Sequence, residues 1–217
     1  MLSIQSFTFN AFAENTYVVF DETHEAVIID PGCYTREEQN QLTSFVTKNN
    51  LQVKYILNTH CHIDHVLGND FTKDYYRVPL LIHSIEEPVL RAVKNYAPLY
   101  GFDGYREALP DQYLHESKSV KFGNTEWKVL FLPGHSVGHV GFYDAKEKAV
   151  IAGDVLFAGS IGRTDLPGGD FDTLIRSIHQ ELFRLPDDTV VYAGHGPTTT
   201  IGEEKISNPF CALSLIK

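Results

Sequence analysis

The chain has 217 residues, enough for one large domain and too few for two comfortable ones. Its 43% apolar and 21% charged residues exclude disorder, collagen and coiled coil, and no apolar run approaches the roughly 18 residues of a membrane span. A formal net charge of −10 disfavours nucleic acid, because binding phosphates needs clustered Lys and Arg.

Strands dominate the first thirty residues. Tyr17-Val18-Val19-Phe20 and Ala26-Val27-Ile28-Ile29 flank a polar turn and predict a hairpin. Pro31-Gly32 stops the second strand, and Thr35 caps a helix expected to run to about Asn49 with Leu42, Phe45 and Val46 on one face. Val53 to Leu57 reads as a short buried strand that ends at a cluster of histidines, and a helix is expected near Asp64. A strand at Leu80-Leu81-Ile82 and a helix from about Ile85 to Asn95 follow. The segment from Tyr96 to Tyr113 holds four of the eleven tyrosines and reads equally as a loop-rich lid or as tyrosines packed over a helix. Strands return at Thr125 to Leu132, Val140 to Tyr143 and Ala149 to Ala152. An amphipathic helix is expected from Asp172 to Leu185, and Val190-Val191-Tyr192 forms the last strand. No linker or repeat divides the chain, so residues 1–217 read as a single domain of two sheets with helices outside.

Three cysteines, none in a Cys-x-x-Cys pair, fit reduced thiols rather than a disulfide framework or a thiolate metal site. The first residues, Met1 to Gln5, lack a basic stretch and a long apolar core, and a cytoplasmic location is expected.

The histidines are unevenly spread. His60, His62 and His65 fall within six residues, with Asp64 among them, directly after an apolar strand. Side chains at i and i+2 of an extended chain point the same way, so His60 and His62 can reach one ion. If the chain then turns into a helix, Asp64 and His65 splay toward a second point. Three later positions echo this pattern: His135 after Gly134, Asp154 after Gly153 and His195 after Gly194, each at the end of an apolar strand. Imidazole and carboxylate suit borderline divalent metals without any cysteine. Cys61, between two candidate ligands, is expected to point away into packing, as are Cys33 and Cys211. His24, His83, His115 and His179 carry no motif and read as surface or core histidines.

The ordered set Thr-His-x-His-x-Asp-His at 59–65, Gly-His at 134–135, Gly-Asp at 153–154 and Gly-His-Gly at 194–196 resembles the metallo-β-lactamase-fold hydrolases over essentially the whole chain. Within that superfamily the chain looks most like glyoxalase II, the hydroxyacylglutathione hydrolases, in their short single-domain form. Asn15-Thr16-Tyr17, Ile29-Asp30-Pro31-Gly32, Gly134 to His139, Gly194 to Pro197 and Asn208-Pro209-Phe210 carry that likeness. The long enzymes carry a basic C-terminal helical region that holds glutathione, and the likeness to the short form carries the expectation that this chain does without it.

The resemblance implies an α/β (α+β) fold, an αββα sandwich of two mixed sheets flanked by helices. It implies two divalent ions, commonly zinc, with iron or manganese accepted. His60, His62 and His135 would hold one ion; Asp64, His65 and His195 would hold the other; Asp154 would bridge them. A shared water, its pKa lowered from 15.7 toward roughly 7, would supply a hydroxide to attack an acyl carbon. The expected substrate is a small thioester such as S-lactoylglutathione. Asp64, Asp154 and His139 are the candidate catalytic residues, with His139 equally readable as an orienting or a structural histidine. Asp30 and Thr59 are candidate orienting groups. Arg163, in Gly162-Arg163-Thr164-Asp165, could bind a substrate carboxylate or pair with Asp165.

Two alternatives share this centre. Persulfide dioxygenases also show Asn-Thr-His-Cys-His and Gly-Arg-Thr-Asp segments, as at 58–62 and 162–165, and hold one iron through the counterparts of His60, His135 and Asp154. His139 and Gly194-His195-Gly196-Pro197 favour the hydrolase. A lactonase or β-lactamase-like role is the other alternative, since fold and ions do not fix the substrate.

Overall fold

Helix α1 (Arg36–Lys48) starts in a capping box. The Thr35 hydroxyl accepts the Glu38 N–H, and the Glu38 carboxylate accepts the Thr35 N–H, which satisfies two of the donors a helix start leaves open. The same carboxylate also accepts the N–H groups of Tyr34 and Asn10, at 2.8 and 2.6 Å. One side chain thus ties the helix to the turn that follows the first strand.

The computed structural model describes residues 1–215. The chain forms two compact units, one made of residues 1–114 and 121–126, the other of residues 115–120 and the chain from Trp127 onward.

The first unit is built on a six-stranded mixed sheet. Its strands are β1 (Ser3–Phe9), β2 (Glu14–Phe20), β3 (Glu25–Ile29), β4 (Gln52–Leu57), β5 (Leu80–His83) and β6 (Gln112–Leu114), in that spatial order. The pairs β1–β2 and β2–β3 are antiparallel, and β3–β4, β4–β5 and β5–β6 are parallel. Parallel neighbours need crossovers, which α1, α2 (Ile63–Val66), α3 (Asn69–Tyr76) and α4 (Glu87–Tyr96) help supply. Leu42 and Val46 of α1 pack with Phe9, Val18, Ala26 and Ile28. Leu90 and Val93 of α4 pack with Ile56, Leu80 and Ile82. Each such side chain, fully buried, is worth ~1.5–3 kcal/mol in transfer from water.

Strands β7 (Ser119–Phe122) and β8 (Thr125–Phe131) have residues in both units, and β9 (Val140–Asp144), β10 (Ala149–Gly153), a small hairpin of β11 (Leu156–Phe157) and β12 (Ser160–Ile161), α5 (Phe171–Gln180), β13 (Val190–Ala193), β14 (Thr199–Thr200) and α6 (Ile201–Ser207) belong to the second unit. Its large sheet runs β14-β13-β10-β9-β8-β7. There β10 pairs parallel with β13 and antiparallel with β9. Leu174 and Ile178 of α5 pack with Leu130, Leu132, Val150, Ala152 and Val191. These residues alternate on their strands, so one sheet face meets the helix.

Several expectations shift at their edges. The helix expected from Asp172 starts one residue earlier, because Asp170 caps it by accepting the Thr173 N–H, and it gives way to a 3₁₀ turn at Leu182–Arg184. The helix expected from Ile85 begins as a 3₁₀ turn at Ser84–Glu86 and becomes α-helical at Glu87 with Pro88 in its first turn, where the missing N–H costs nothing. Helix α3 and the short pieces β6, β11, β12 and β14 have too few periodic residues to stand out in the sequence. In the Tyr96–Tyr113 segment, Tyr96 and Tyr105 pack on the core while Tyr100 and Tyr113 are exposed. The packed reading therefore describes two of the four tyrosines.

Candidate metal centre

Strand β4 ends at Leu57, and the chain runs on through Asn58, a bend at Thr59, His60, Cys61 and an extended His62 before the single turn of α2. The sequence thus delivers its ligand-type residues at the carboxyl end of a parallel strand, where α/β sheets place ligand sites. The His60 ring lies 4.7 Å from that of His62 and 4.2 Å from that of His65, centroid to centroid. His60 and His65 are fully buried.

Asp30, at the end of β3, organises this group. Its backbone takes the left-handed φ of +48°, which Asp tolerates better than most residues. Its Oδ1 accepts the Thr59 N–H at 2.7 Å, and its Oδ2 accepts the Thr59 hydroxyl at 2.6 Å. That same Oδ2 lies 3.1 Å from His65 Nδ1. A carboxylate only accepts, so Nδ1 of His65 carries the proton and Nε2 carries the lone pair. Thr59 passes the effect on. Its proton goes to Asp30, so its oxygen accepts from His60 Nδ1 at 3.0 Å, and His60 too presents Nε2 as a donor atom. His65 Nε2 stands 3.6 Å from Asp64 Oδ2.

The three candidate residues of the second unit converge on one another. His135 follows Gly134, whose φ of +132° and whose missing Cβ, only 2.3 Å from Leu174 N, leave room for no other residue. The His135 Nδ1 lies 2.8 Å from the Arg163 carbonyl oxygen. Since a carbonyl can only accept, the proton again sits on Nδ1 and Nε2 carries the lone pair. Asp154 Oδ2 is 3.6 Å from His135 Nε2 and 3.4 Å from His195 Nε2. One buried carboxylate oxygen is therefore close to two imidazole nitrogens. The Asp154 N–H donates to Nε2 of His139 at 3.1 Å, so His139 is an acceptor that holds the Asp154 backbone. His139 is fully buried.

This donor chemistry fits divalent metal. Neutral imidazole nitrogens with their far N–H groups engaged, alongside carboxylate oxygens, suit zinc, iron or manganese. The Cys61 sulfur is not among them. Cys61 is buried in the core beside Ile56 and Ile63, and burial pushes its thiol well above the usual range. Arg163 spends its guanidinium on a two-pronged pair with Asp165, Nε to Oδ1 and Nη2 to Oδ2, both at 2.7 Å. That contact holds the Asp165 carboxyl down at about 2.

Three participants had no sequence signal. Glu86 is fully buried and accepts the Cys61 N–H at 2.8 Å, fixing the backbone between two histidines. Glu14 is fully buried 3.9 Å from His65 Nδ1, and burial raises its carboxyl well above the usual range. The Arg163 carbonyl is backbone, invisible to any residue-type argument. Among the histidines without a motif, His83 caps a 3₁₀ turn through the Ile85 N–H, and His179 Nε2 lies 2.7 Å from the Cys211 carbonyl. Both serve local structure.

The fold and these two groups of side chains define a class. Residues 10–195 match the family model of the metallo-β-lactamase superfamily, and the chain belongs to it. It is thus a metallo-hydrolase with a divalent metal centre, and its two mixed sheets with helices are that family's fold. Among individual proteins it is 37% identical over 211 residues to the hydroxyacylglutathione hydrolase GloC of Haemophilus influenzae, covering 96% of this chain and 98% of that one. The crystal structure of BLEG-1 B3 metallo-beta-lactamase matches with a TM-score of 0.87 at 38% identity, over 97% of this chain and 99% of that one. TTHA1623 in a di-iron-bound form matches with a TM-score of 0.85 at 37% identity, over 95% and 99%. No helix among the described residues is long and apolar enough to cross a membrane.

Proposed function

We propose that this chain is a thioesterase of the glyoxalase II type, acting on S-lactoylglutathione or a related small thioester. The observation that carries the reading is the Asp154 carboxylate set between His135 Nε2 and His195 Nε2 at 3.6 and 3.4 Å. The full-length similarity to a hydroxyacylglutathione hydrolase supports the substrate class. In this reading His60, His62 and His135 would hold one ion and Asp64, His65 and His195 the second, with Asp154 as a ligand to both.

Divalent metal held by these residues would acidify a bound water and polarise an acyl oxygen. The chain's own residues supply the rest. Asp30 fixes the Nδ1 proton of His65 directly and that of His60 through Thr59, and the Arg163 carbonyl does the same for His135. His139 holds the Asp154 backbone and so acts as a positioning residue. The Asp64 and Asp154 carboxylates are the acceptors at which a water proton can rest. Arg163, at the end of the segment that orients His135, offers a cation to a substrate carboxylate if it exchanges its partner Asp165.

The similarity to a B3 metallo-beta-lactamase favours β-lactam hydrolysis as the second reading. Metal stoichiometry measured alongside loss of thioester absorbance tests the first. Two ions per chain with thioester turnover is the expected result. Cleavage of a chromogenic cephalosporin without thioester turnover would replace it with the second reading. One iron, with oxygen uptake on glutathione persulfide, would make the chain a dioxygenase.

A further inference from the structure

The hairpin of β11 and β12 and the two residues that follow it contact the imidazoles of His195 and His135. On one side, Phe157 meets the His195 ring edge-on, with centroids 6.3 Å apart at 86°. On the other, the chain leaving β12 passes Gly162 and Arg163. A Cβ on Gly162 would stand 1.9 Å from the Asp154 carbonyl and 3.0 Å from His135 Nδ1, so only glycine lets this strand lie against both. The Arg163 carbonyl then accepts from His135 Nδ1. The hairpin itself is two residues a side, too short to hold its own place.

It is held from outside by α6. The Glu204 carboxylate, 2% exposed, accepts the Gly159 N–H at the hairpin turn at 3.0 Å. The Asn208 side-chain amide donates to the Ser160 carbonyl at 3.0 Å and to the same Glu204 carboxylate at 2.7 Å. The other Glu204 oxygen accepts the Thr199 hydroxyl at 2.6 Å. Asn208 Oδ1 in turn accepts the Phe210 N–H at 2.9 Å. A buried carboxylate and a buried amide are therefore fully engaged, and what they clamp is the turn of the hairpin. A buried polar pair is costly to assemble and more costly to break, so its place under this hairpin is a constraint on the fold.

We propose that Glu204 and Asn208 are positioning residues for the metal centre, setting the rings of His135 and His195 through the β11–β12 hairpin that they clamp. The proposal rests on His135 and His195 being metal ligands and is independent of which substrate is hydrolysed. Outer partners of metal-bound imidazoles change metal affinity by roughly 10–100-fold when lost. A clamp one step further out is expected to act in the lower part of that range.

The test uses full-length protein stripped of metal and reloaded. Zinc affinity is read by competition with a chromophoric chelator, and ligand geometry by the visible spectrum of the cobalt(II) form. The variants are Glu204→Gln and Asn208→Ala. Lys205→Ala is the control, because Lys205 lies on the same helix but bonds to Asp187 and to the Leu185 carbonyl, away from the hairpin. The expected result is zinc affinity lowered roughly 10-fold in either clamp variant, an altered cobalt spectrum, and Lys205→Ala indistinguishable from wild type. Zinc affinity within twofold of wild type in a folded clamp variant would overturn the proposal. So would an equal loss in Lys205→Ala, which would mean that general loosening of α6 is the cause. If Glu204→Gln does not fold, Asn208→Ala decides alone. Wild-type protein that takes up neither metal would overturn the metal-centre reading and this proposal together.

Discussion

Asp30 Oδ2 lies 3.1 Å from His65 Nδ1 while accepting the Thr59 hydroxyl at 2.6 Å, so one carboxylate fixes the tautomers of two candidate ligands. Asp30→Asn puts an amide where two donors need an acceptor. We expect zinc affinity to fall roughly 10–100-fold, the usual effect of losing an outer partner of a metal-bound imidazole. Chelator competition measures it, and affinity equal to wild type would remove Asp30 from that role.

Asp154 is the group that should matter most. Asp154→Ala deletes the oxygen set between His135 and His195 and is expected to abolish binding of both ions and cut turnover by more than the roughly 100-fold of an outer-shell loss. Metal analysis after gel filtration checks the first part. Two ions retained per chain would contradict the bridging role.

For Arg163 the prediction is a split between stability and binding. Its pair with Asp165 is exposed on both sides and screened by solvent, so Arg163→Ala should leave stability almost unchanged. The metal content should stay the same and KM for an anionic thioester should rise. An unchanged KM with kcat intact would leave Arg163 as the partner of Asp165 and nothing more.

Trp127 is the largest fully buried side chain, and its indole N–H donates to Asp144 at 3.2 Å. Trp127→Ala should destabilise the protein by about 3–5 kcal/mol, from the lost transfer term and the cavity left behind. Urea unfolding followed by circular dichroism gives the value. A loss under 1 kcal/mol would mean that the site collapses to fill the space.

Stability should also fall in alkali. Burial pushes the Cys33 and Cys211 thiols up to about 12 from an ordinary 9.0. Above pH 9 the unfolded chain releases these protons while the folded one keeps them, so the folded state binds more protons and unfolding becomes easier as pH rises. The contribution is whole below pH 9 and fades between pH 9 and 12. The urea midpoint of metal-free protein at pH 8 and pH 10 should show the drop, and the Cys33→Ala, Cys211→Ala double variant should show a shallower one. Equal slopes would place the effect elsewhere, with the half-buried tyrosines Tyr76 and Tyr105 next in line.

Strong local patterns were legible in the chain itself. The hairpin around Asp21 to Glu25, the capped helix after Thr35, the strand before His60 and the stripe Leu174, Ile175, Ile178 all declare themselves, because apolar spacing and turn chemistry act over a few residues. Helix α6 did not. Its seven residues include Glu203, Glu204 and Lys205, and the pattern looks like a solvated face although Glu204 is buried. Glu86 and Glu14 were missed for the same reason, since an acidic residue gives no sign of burial until its partners are known.

The sequence by itself determined which residue types are offered and where on each strand they stand: histidines and aspartates at the carboxyl ends of apolar runs, with glycine ahead of three of them. Only the tertiary structure decided which nitrogen of His135 and His65 faces outward, because that choice is made by a backbone carbonyl 28 residues away and a carboxylate 35 residues away. Residue identity travels along the chain, whereas the proton on an imidazole is set by whatever lies within about 3 Å of it in space.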